Sequence, residues 1–358
     1  MTADGTVDTT SRIGVVGYYV PRQIVFAAEA TPVQLHGSWT GTYSAEATRL
    51  LGAVDAVVHR ILTDLLEHRV DDLHGLVICN DSAAHLRLFY VARMLSQRGR
   101  LPYPVMLLDC PSDITPARHR FVTQQYVRLA EFLSDITGSA VSQQSLNEAG
   151  ERELSVGEAL EAFQLERAEG NYTGADALTT YIRVSRASQE EALNILRSMN
   201  PSQSVDGQRL FMTGSHHPDP SVYQALDHEG FCVVGEDHPT GDGAWLRQAV
   251  QGDTASLIYD ELATLHFSRS PLSARSMSSQ RAQHLQSQLS KTTATQVVGL
   301  IRELDDAPVW DTASQQRLME ELRIPFHVLK GVSTDGLDEA LTKIQTRVRK
   351  GGRPHGTA

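Results

Sequence analysis

The stretch that decides the fold is residues 73–111, LHGLVICNDSAAHLRLFYVARMLSQRGRLPYPVMLLDCP. Its first apolar run, residues 76–79, is short and bounded by polar residues, which is typical of a buried strand. Residues 83–99 then carry apolar side chains at helical spacing, and residues 103–111 contain a second short apolar run. A strand, a helix and a strand in this order predict a parallel sheet that is covered by helices.

The same alternation recurs on both sides of this unit. Strands are predicted at 32–37, 209–214, 231–237, 295–301 and 324–331, a long amphipathic helix at 44–69, and helices almost throughout 116–200. We therefore predict an α/β protein with two doubly wound parallel-sheet domains of the Rossmann or flavodoxin type, plus a helical segment. The predicted divisions are a disordered tail (1–11), a first α/β domain with its helical extension (12–200) and a second α/β domain (201–358). The polar residues 200–208 form the predicted linker.

Composition excludes several classes of function. The 358 residues are 41% hydrophobic and carry a formal net charge of −11, which argues against nucleic acid as a partner. The sequence has no apolar run long enough to span a membrane and no targeting segment, so we expect a cytoplasmic protein that does not bind membranes. Neither a P-loop nor a dinucleotide-binding glycine pattern is present.

Polar residues after two of the predicted strands are the first candidates for a site. Five of these residues could ligate a divalent metal, namely His216, His217, Glu236, Asp237 and His238. The stretch "HHPDP" is, however, also typical of an ordinary turn. Ser215 lacks the nucleophile-elbow pattern and is predicted to cap the following helix. Cys110 and Cys232 are predicted to be buried, whereas Cys79, at a strand end, is either a core residue or a functional one.

Four segments together resemble a known family. They are VPRQIVFAAEATPVQLHG (20–37), LHGLVICNDSAAHLRLFYVAR (73–93), LFMTGSHHPDPSVYQALDHEGFCVVGEDHPTG (210–241) and VVGLIRELDDAPVWD (297–311) followed by LRIPFHVLKG (322–331). In order and spacing they resemble segments of the 2-hydroxyacyl-CoA dehydratase and benzoyl-CoA reductase family. The resemblance extends over roughly residues 13–348.

The resemblance implies a heterodimer of related α/β subunits. It also implies an acyl-CoA thioester bound beside a [4Fe–4S] cluster, and an ATP-hydrolysing activator protein that delivers one electron to make the hydroxyl a leaving group or to start ring reduction. By the same resemblance, Gln23, Gln34 and His36, together with Ser215 and His216, belong to the substrate pocket.

This chain departs from the family where three cysteines hold the cluster. Matching the segments places Ser44 at the first position, leaves Cys79 at the second and places Asp305 at the third, so one thiolate of three survives. A standard cluster in this chain is therefore doubtful, and Cys79 is its only candidate thiolate ligand. Gln23 and Gln34 stand where the family usually has Glu and Arg, and Pro239 stands in place of a Cys.

Three hypotheses stay open. The chain is a divergent subunit that shares an acyl-CoA or related acyl or aromatic site with a cluster-bearing paralogue. Alternatively, it is a repurposed protein or enzyme of the same fold that binds such a ligand without redox chemistry. In the third hypothesis, it carries its own cluster, held atypically by Ser44, Cys79 and Asp305, which are expected to lie close together.

Overall fold

Two four-stranded sheets, each entirely parallel, organise the chain. The computed structural model describes residues 10–201, 207–245 and 247–351. The first sheet has the order β2-β1-β3-β4 and contains β1 (Ser11–Val16), β2 (Ala30–Gln34), β3 (Gly75–Cys79) and β4 (Val105–Leu108). The second has the order β6-β5-β7-β8 and contains β5 (Gln208–Gly214), β6 (Phe231–Glu236), β7 (Gln296–Arg302) and β8 (Phe326–Val332). The predicted fold class, two Rossmann- or flavodoxin-like parallel sheets with helices, is confirmed.

Thirteen helices occur in the described ranges. They are α1 (Arg22–Ala27), α2 (Ala45–Leu51), α3 (Ala56–Leu66), α4 (Ala83–Gln97), α5 (Pro116–Thr137), α6 (Gln143–Ala168), α7 (Gly174–Val184), α8 (Gln189–Ser198), α9 (Ser221–His228), α10 (Ala255–Ser268), α11 (Ser278–Leu289), α12 (Asp306–Leu322) and α13 (Leu337–Gly351). The helical segment predicted at 116–200 corresponds to α5–α8. Within the described ranges, none of the helices combines the length and apolarity that crossing a bilayer requires.

Helices cover both faces of each sheet. Along β3, Val77 and Cys79 pack against α1, α5, α6 and α10, while Leu76 and Ile78 pack against α2, α3 and α4. In the second sheet one face meets α7, α9 and α13, and the other meets α11 and α12. Because α10 lies on the first sheet, the second half of the chain returns to complete the core of the first.

The predicted single helix over 44–69 is wrong, because the chain breaks it into α2 and α3. Gly52 ends α2 at a φ of +66°, a backbone conformation that favours glycine. Asp55 then caps α3 by accepting the N–H of Val57 at 3.1 Å. The break places the Asp55 carboxylate near the ends of both sheets.

Other boundaries differ in smaller ways. The second strand, Ala30–Gln34, begins two residues and ends three residues earlier than predicted, and neither β1 nor α12 was predicted. Of the predicted disordered tail, residues 1–9 lie outside the described residues, and Ser11 already begins β1. Residues 202–206 of the predicted linker also lie outside the described residues.

Candidate functional site

A cavity of about 610 Å³, the main cavity, opens where the carboxyl ends of the two sheets face each other. Tyr18 and Asp81, which line it, follow β1 and β3 of the first sheet. From the second sheet it is lined by Gly214 and Arg302, the last residues of β5 and β7, and by His238 just after β6. Parallel sheets place their ligand sites at this edge, so the main cavity is the candidate site.

A buried ion pair across this cavity joins the two halves of the chain. Arg302 donates from Nε and Nη2 to Oδ2 of Asp55 at 3.0 and 2.7 Å, and from Nη1 to the carbonyl oxygen of His216. The Trp39 ring centroid lies 5.2 Å from the guanidinium carbon. Burial opposes the charge of Arg302, but the neighbouring carboxylates outweigh it and raise its pKa. The guanidinium is therefore held charged and in a fixed orientation.

Ser215 belongs to the same cluster and is not a helix cap, so that prediction is wrong. Its hydroxyl donates to Oδ2 of Asp305 at 2.6 Å and accepts the backbone N–H of Arg302 at 3.0 Å. The first turn of α9 is instead capped by Asp219, which accepts the N–H of Ser221 at 2.9 Å. Burial raises the pKa of Asp305, although Arg302 and Ser215 act in the opposite direction. Ser215 thus fixes the carboxylate that lines the main cavity.

A carboxylate–imidazole pair lies on the opposite wall. His85, in the first turn of α4, is 2.5 Å from Asp81 (Nδ1 to Oδ1), and the second oxygen of Asp81 accepts the Tyr18 N–H at 3.2 Å. Burial disfavours the charged imidazole, but the charge of Asp81 and its hydrogen bond raise the pKa of His85 above the ordinary value. Both side chains are almost completely buried and line the main cavity.

Behind His238 lies a fully buried charged network. Arg167 holds the Glu236 carboxylate with both terminal nitrogens, and the Tyr223 hydroxyl donates to the same carboxylate at 2.6 Å. The Tyr223 oxygen is also 3.1 Å from Nε2 of His238. Burial lowers the pKa of His238 to about 4, so the ring is neutral at pH 7.

This network bears on the metal site considered for His216, His217, Glu236, Asp237 and His238. Within the described part of the chain, no three or more His, Cys, Asp or Glu side chains are grouped so that they could hold a metal ion. Glu236 is instead bound by Arg167, and His217 stacks on Trp39 with a ring-centroid distance of 5.0 Å. Burial lowers the pKa of both His216 and His217 well below the ordinary value. The metal interpretation gains no support.

Gln23 occupies a structural position away from the main cavity. Its amide nitrogen donates to the carbonyls of Leu146 and Val250 at 2.8 and 2.7 Å, and its oxygen accepts the Val250 N–H at 2.9 Å. The side chain is fully buried, so it ties α1 to α6 and to the segment before α10.

Two further predicted pocket residues meet at a smaller space. A cavity of about 60 Å³, the small cavity, is lined by Gln34 and His36 and shares Tyr18 and Pro239 with the main cavity. The Gln34 amide donates to the Gly17 carbonyl at 2.8 Å, and Nε2 of His36 lies 2.8 Å from the Ser185 hydroxyl. His216 lines the main cavity itself. The structure thus brings Gln34, His36 and His216 near one another.

The three predicted cluster positions lie in different surroundings. Asp305 lines the main cavity, whereas neither Ser44 nor Cys79 is among the described residues that line it. Ser44 caps α2 by accepting the N–H of Ala47 at 3.1 Å. Cys79 is 1% exposed within the apolar core, and burial raises the pKa of its thiol well above the ordinary value.

These donors do not fit a [4Fe–4S] cluster in this chain. A cluster needs several thiolates directed at one space. Here the Cys79 thiol is packed in the apolar core, where burial raises its pKa well above the ordinary value, and the Asp305 carboxylate already binds Ser215 and Arg302. Whether Cys79 ligates a metal in a larger assembly stays a prediction.

The sequence reasoning missed the residues that dominate the main cavity. Asp55 lies in the segment 44–69 that was predicted to be one continuous helix. Arg302 was considered only as part of the polar segment at the end of a strand. The signals were present, because Asp55 follows Gly52 as a cap residue would, and His85 lies four residues after Asp81 at the start of a helix.

Comparison with known proteins agrees with this architecture. A search of the curated proteins finds no match. The family model of the 2-hydroxyglutaryl-CoA dehydratase D-component matches residues 17–350, which is nearly the whole chain and includes seven of the eight described strands, β2 to β8. The chain therefore belongs to the 2-hydroxyglutaryl-CoA dehydratase D-component family.

Proposed function

We propose that the chain is a divergent subunit of a heterodimer that acts on an acyl-CoA or related acyl or aromatic thioester. The redox cluster lies mainly in a related, cluster-bearing partner subunit, and an ATP-hydrolysing activator serves that partner. The observation that carries the proposal is the main cavity of a D-component family member, which is lined by Arg302, Asp305 and His85 and by none of the three cysteines, all of which the structure describes. A cytoplasmic location is part of the same proposal.

The size and chemistry of the main cavity support this assignment. At about 610 Å³ it lies within the range of small-molecule sites and can enclose the acyl end of a thioester. The charged Arg302 lies beside the carbonyl of His216, and Asp305 and His85 add an acid and an imidazole on facing walls. In this arrangement the chain binds and orients the substrate and moves protons.

A binding experiment tests this proposal. 2-Hydroxyglutaryl-CoA is titrated calorimetrically into the chain alone, into the chain with a co-expressed three-cysteine paralogue, and into the Asp305→Asn variant of each. We expect binding to be tighter with the paralogue and weaker after Asp305→Asn, with Asp72→Asn, a surface change, as the unaffected control. Light scattering should show a stable heterodimer. A chain that turns over the thioester fully as a monomer contradicts the proposal.

The second candidate is a protein of this fold that uses no redox chemistry. The observation that favours it is the completeness of the polar network, in which Asp55, Arg302, Ser215 and Asp305 bind one another. This candidate predicts that ligand binding is the same with and without a paralogue. A third candidate, with an atypical cluster ligated by this chain, predicts about four irons per chain.

A further inference from the structure

His85 is the strongest unassigned feature of the main cavity. A carboxylate can only accept hydrogen bonds, so the 2.5 Å contact with Asp81 places the ring proton on Nδ1 of His85. In the neutral ring, Nε2 then carries the lone pair. It has no hydrogen-bond partner among the described residues, and His85 lines the main cavity.

The Asp81 carboxylate is held in place from several directions. Its second oxygen accepts the Tyr18 N–H at 3.2 Å, and its backbone carbonyl accepts the Ser273 hydroxyl at 3.2 Å. Gly17, at a φ of +91°, passes so close that an added Cβ would lie 2.6 Å from the Asp81 carboxylate oxygen. Only glycine allows this approach, so the backbone is shaped around the pair.

We propose that His85 is the proton-transferring residue of this site, oriented by Asp81, with Nε2 directed to a 2-hydroxyacyl thioester. This role rests on the proposed function. In the net dehydration, Nε2 accepts a proton from C3 of the acyl chain, and the C–H electron pair becomes the C2–C3 double bond. The hydroxyl group leaves C2 with its bonding pair and takes the proton from His85 as water, so the net step neither gains nor loses electrons.

The surroundings of His85 suit a proton carrier. Burial opposes its protonated form, while Asp81, Asp55 and Asp305 favour it. The ring also lies in the first turn of α4, where the helix dipole favours the neutral base. Proton transfer is most efficient when the pKa of the base lies near the working pH, and in His85 the carboxylates outweigh burial and raise the pKa.

The first test uses the chain alone and needs no substrate. Nitrogen-15 NMR of the histidine rings is recorded from pH 5 to 9 for wild type, His85→Gln and Asp81→Asn. We expect the signal lost in His85→Gln to be that of an Nδ1–H tautomer with a pKa above the ordinary value. Asp81→Asn, which keeps the shape of the side chain, should lower this pKa by about one or more. An Nε2–H tautomer, or a pKa unchanged by Asp81→Asn, overturns the proposal.

The second test adds a probe and a matched control. Diethyl pyrocarbonate modifies unprotonated imidazoles, and the exposed His68–Asp71 pair, 3.0 Å apart, offers the same chemistry outside the cavity. At ten times its dissociation constant, 2-hydroxyglutaryl-CoA should slow modification of His85 about tenfold and leave His68 unchanged. Bound thioester without protection overturns the placement of His85. If the thioester does not bind at all but the NMR result holds, the proposed substrate is wrong, whereas the assignment of His85 as the base stands.

Discussion

Changing Asp55 to Asn tests how strongly the ion pair with Arg302 joins the two halves of the chain. Asp55 is 6% exposed and Arg302 5%, and Arg302 makes three contacts of 3.1 Å or less with the carboxylate. Removing one partner of a buried pair costs about 3–5 kcal/mol, because the other charge stays buried. Asparagine keeps an oxygen for the N–H of Val57, and Asp305 lies 3.4 Å from the guanidinium. We therefore expect the lower value, about 3 kcal/mol.

The double variant Asp55→Asn, Arg302→Met separates the charge from the packing. Because it buries no unpaired guanidinium, its loss of stability should be smaller than the sum of the two single losses, with a coupling of about 2 kcal/mol. Methionine keeps much of the aliphatic length beside Trp39. A coupling below about 0.5 kcal/mol means that the two residues act independently, and this would refute the reasoning.

Urea unfolding followed by circular dichroism and tryptophan fluorescence provides the measurement. Trp39 lies 5.2 Å from the Arg302 guanidinium, so its emission reports on the junction. Coincident transitions from the two probes show that both halves unfold together. The control is Asp72→Asn, which removes the exposed pair with Arg12 at 2.9 Å and should cost less than about 1 kcal/mol.

Three further predictions follow from the buried groups. Gln23→Leu removes three hydrogen bonds to backbone groups of Leu146 and Val250 and should lower the unfolding free energy by about 3 kcal/mol, measured in urea. The pKa of His238 is about 4 in the folded chain, against about 6.5 in the unfolded chain. Its contribution to the free energy of unfolding is therefore fully present above pH 6.5 and is lost as the pH falls, by roughly 1 kcal/mol per pH unit. His238→Gln should flatten this part of the stability–pH curve. Burial raises the pKa of the thiols of Cys79, Cys110 and Cys232. Ellman's reagent should therefore label these three cysteines only after the chain unfolds. Rapid labelling of Cys79 in the native chain contradicts its placement.

The fold could be predicted from the sequence because its signals are local. Seven of the eight described strands were predicted as short apolar runs, and most covering helices from apolar residues that repeat every three or four positions, whereas β1 and α12 were not predicted. The division into α2 and α3 was missed because the apolar pattern continues through Gly52, and only the φ of +66° and the cap at Asp55 separate them.

The site was less predictable because its contacts join distant parts of the chain. The spacing of Asp81 and His85 lies within one helix turn and could have been read, but Asp55 and Arg302 are 247 residues apart. No local pattern reveals that Ser215 binds Asp305 rather than a helix end. The resemblance also assigned a structural residue to the substrate pocket. Gln23 was placed there, but its side chain makes three structural hydrogen bonds.

The most direct test of the central claim is the iron content and ultraviolet–visible spectrum of protein purified and reconstituted without oxygen. The claim is that this chain's own donors do not hold an ordinary cluster and that a partner subunit does. We expect the chain alone to carry far less than one iron and no absorption near 400 nm, and the complex with a three-cysteine paralogue to carry one cluster. About four irons per isolated chain, lost on Cys79→Ala, would contradict the account.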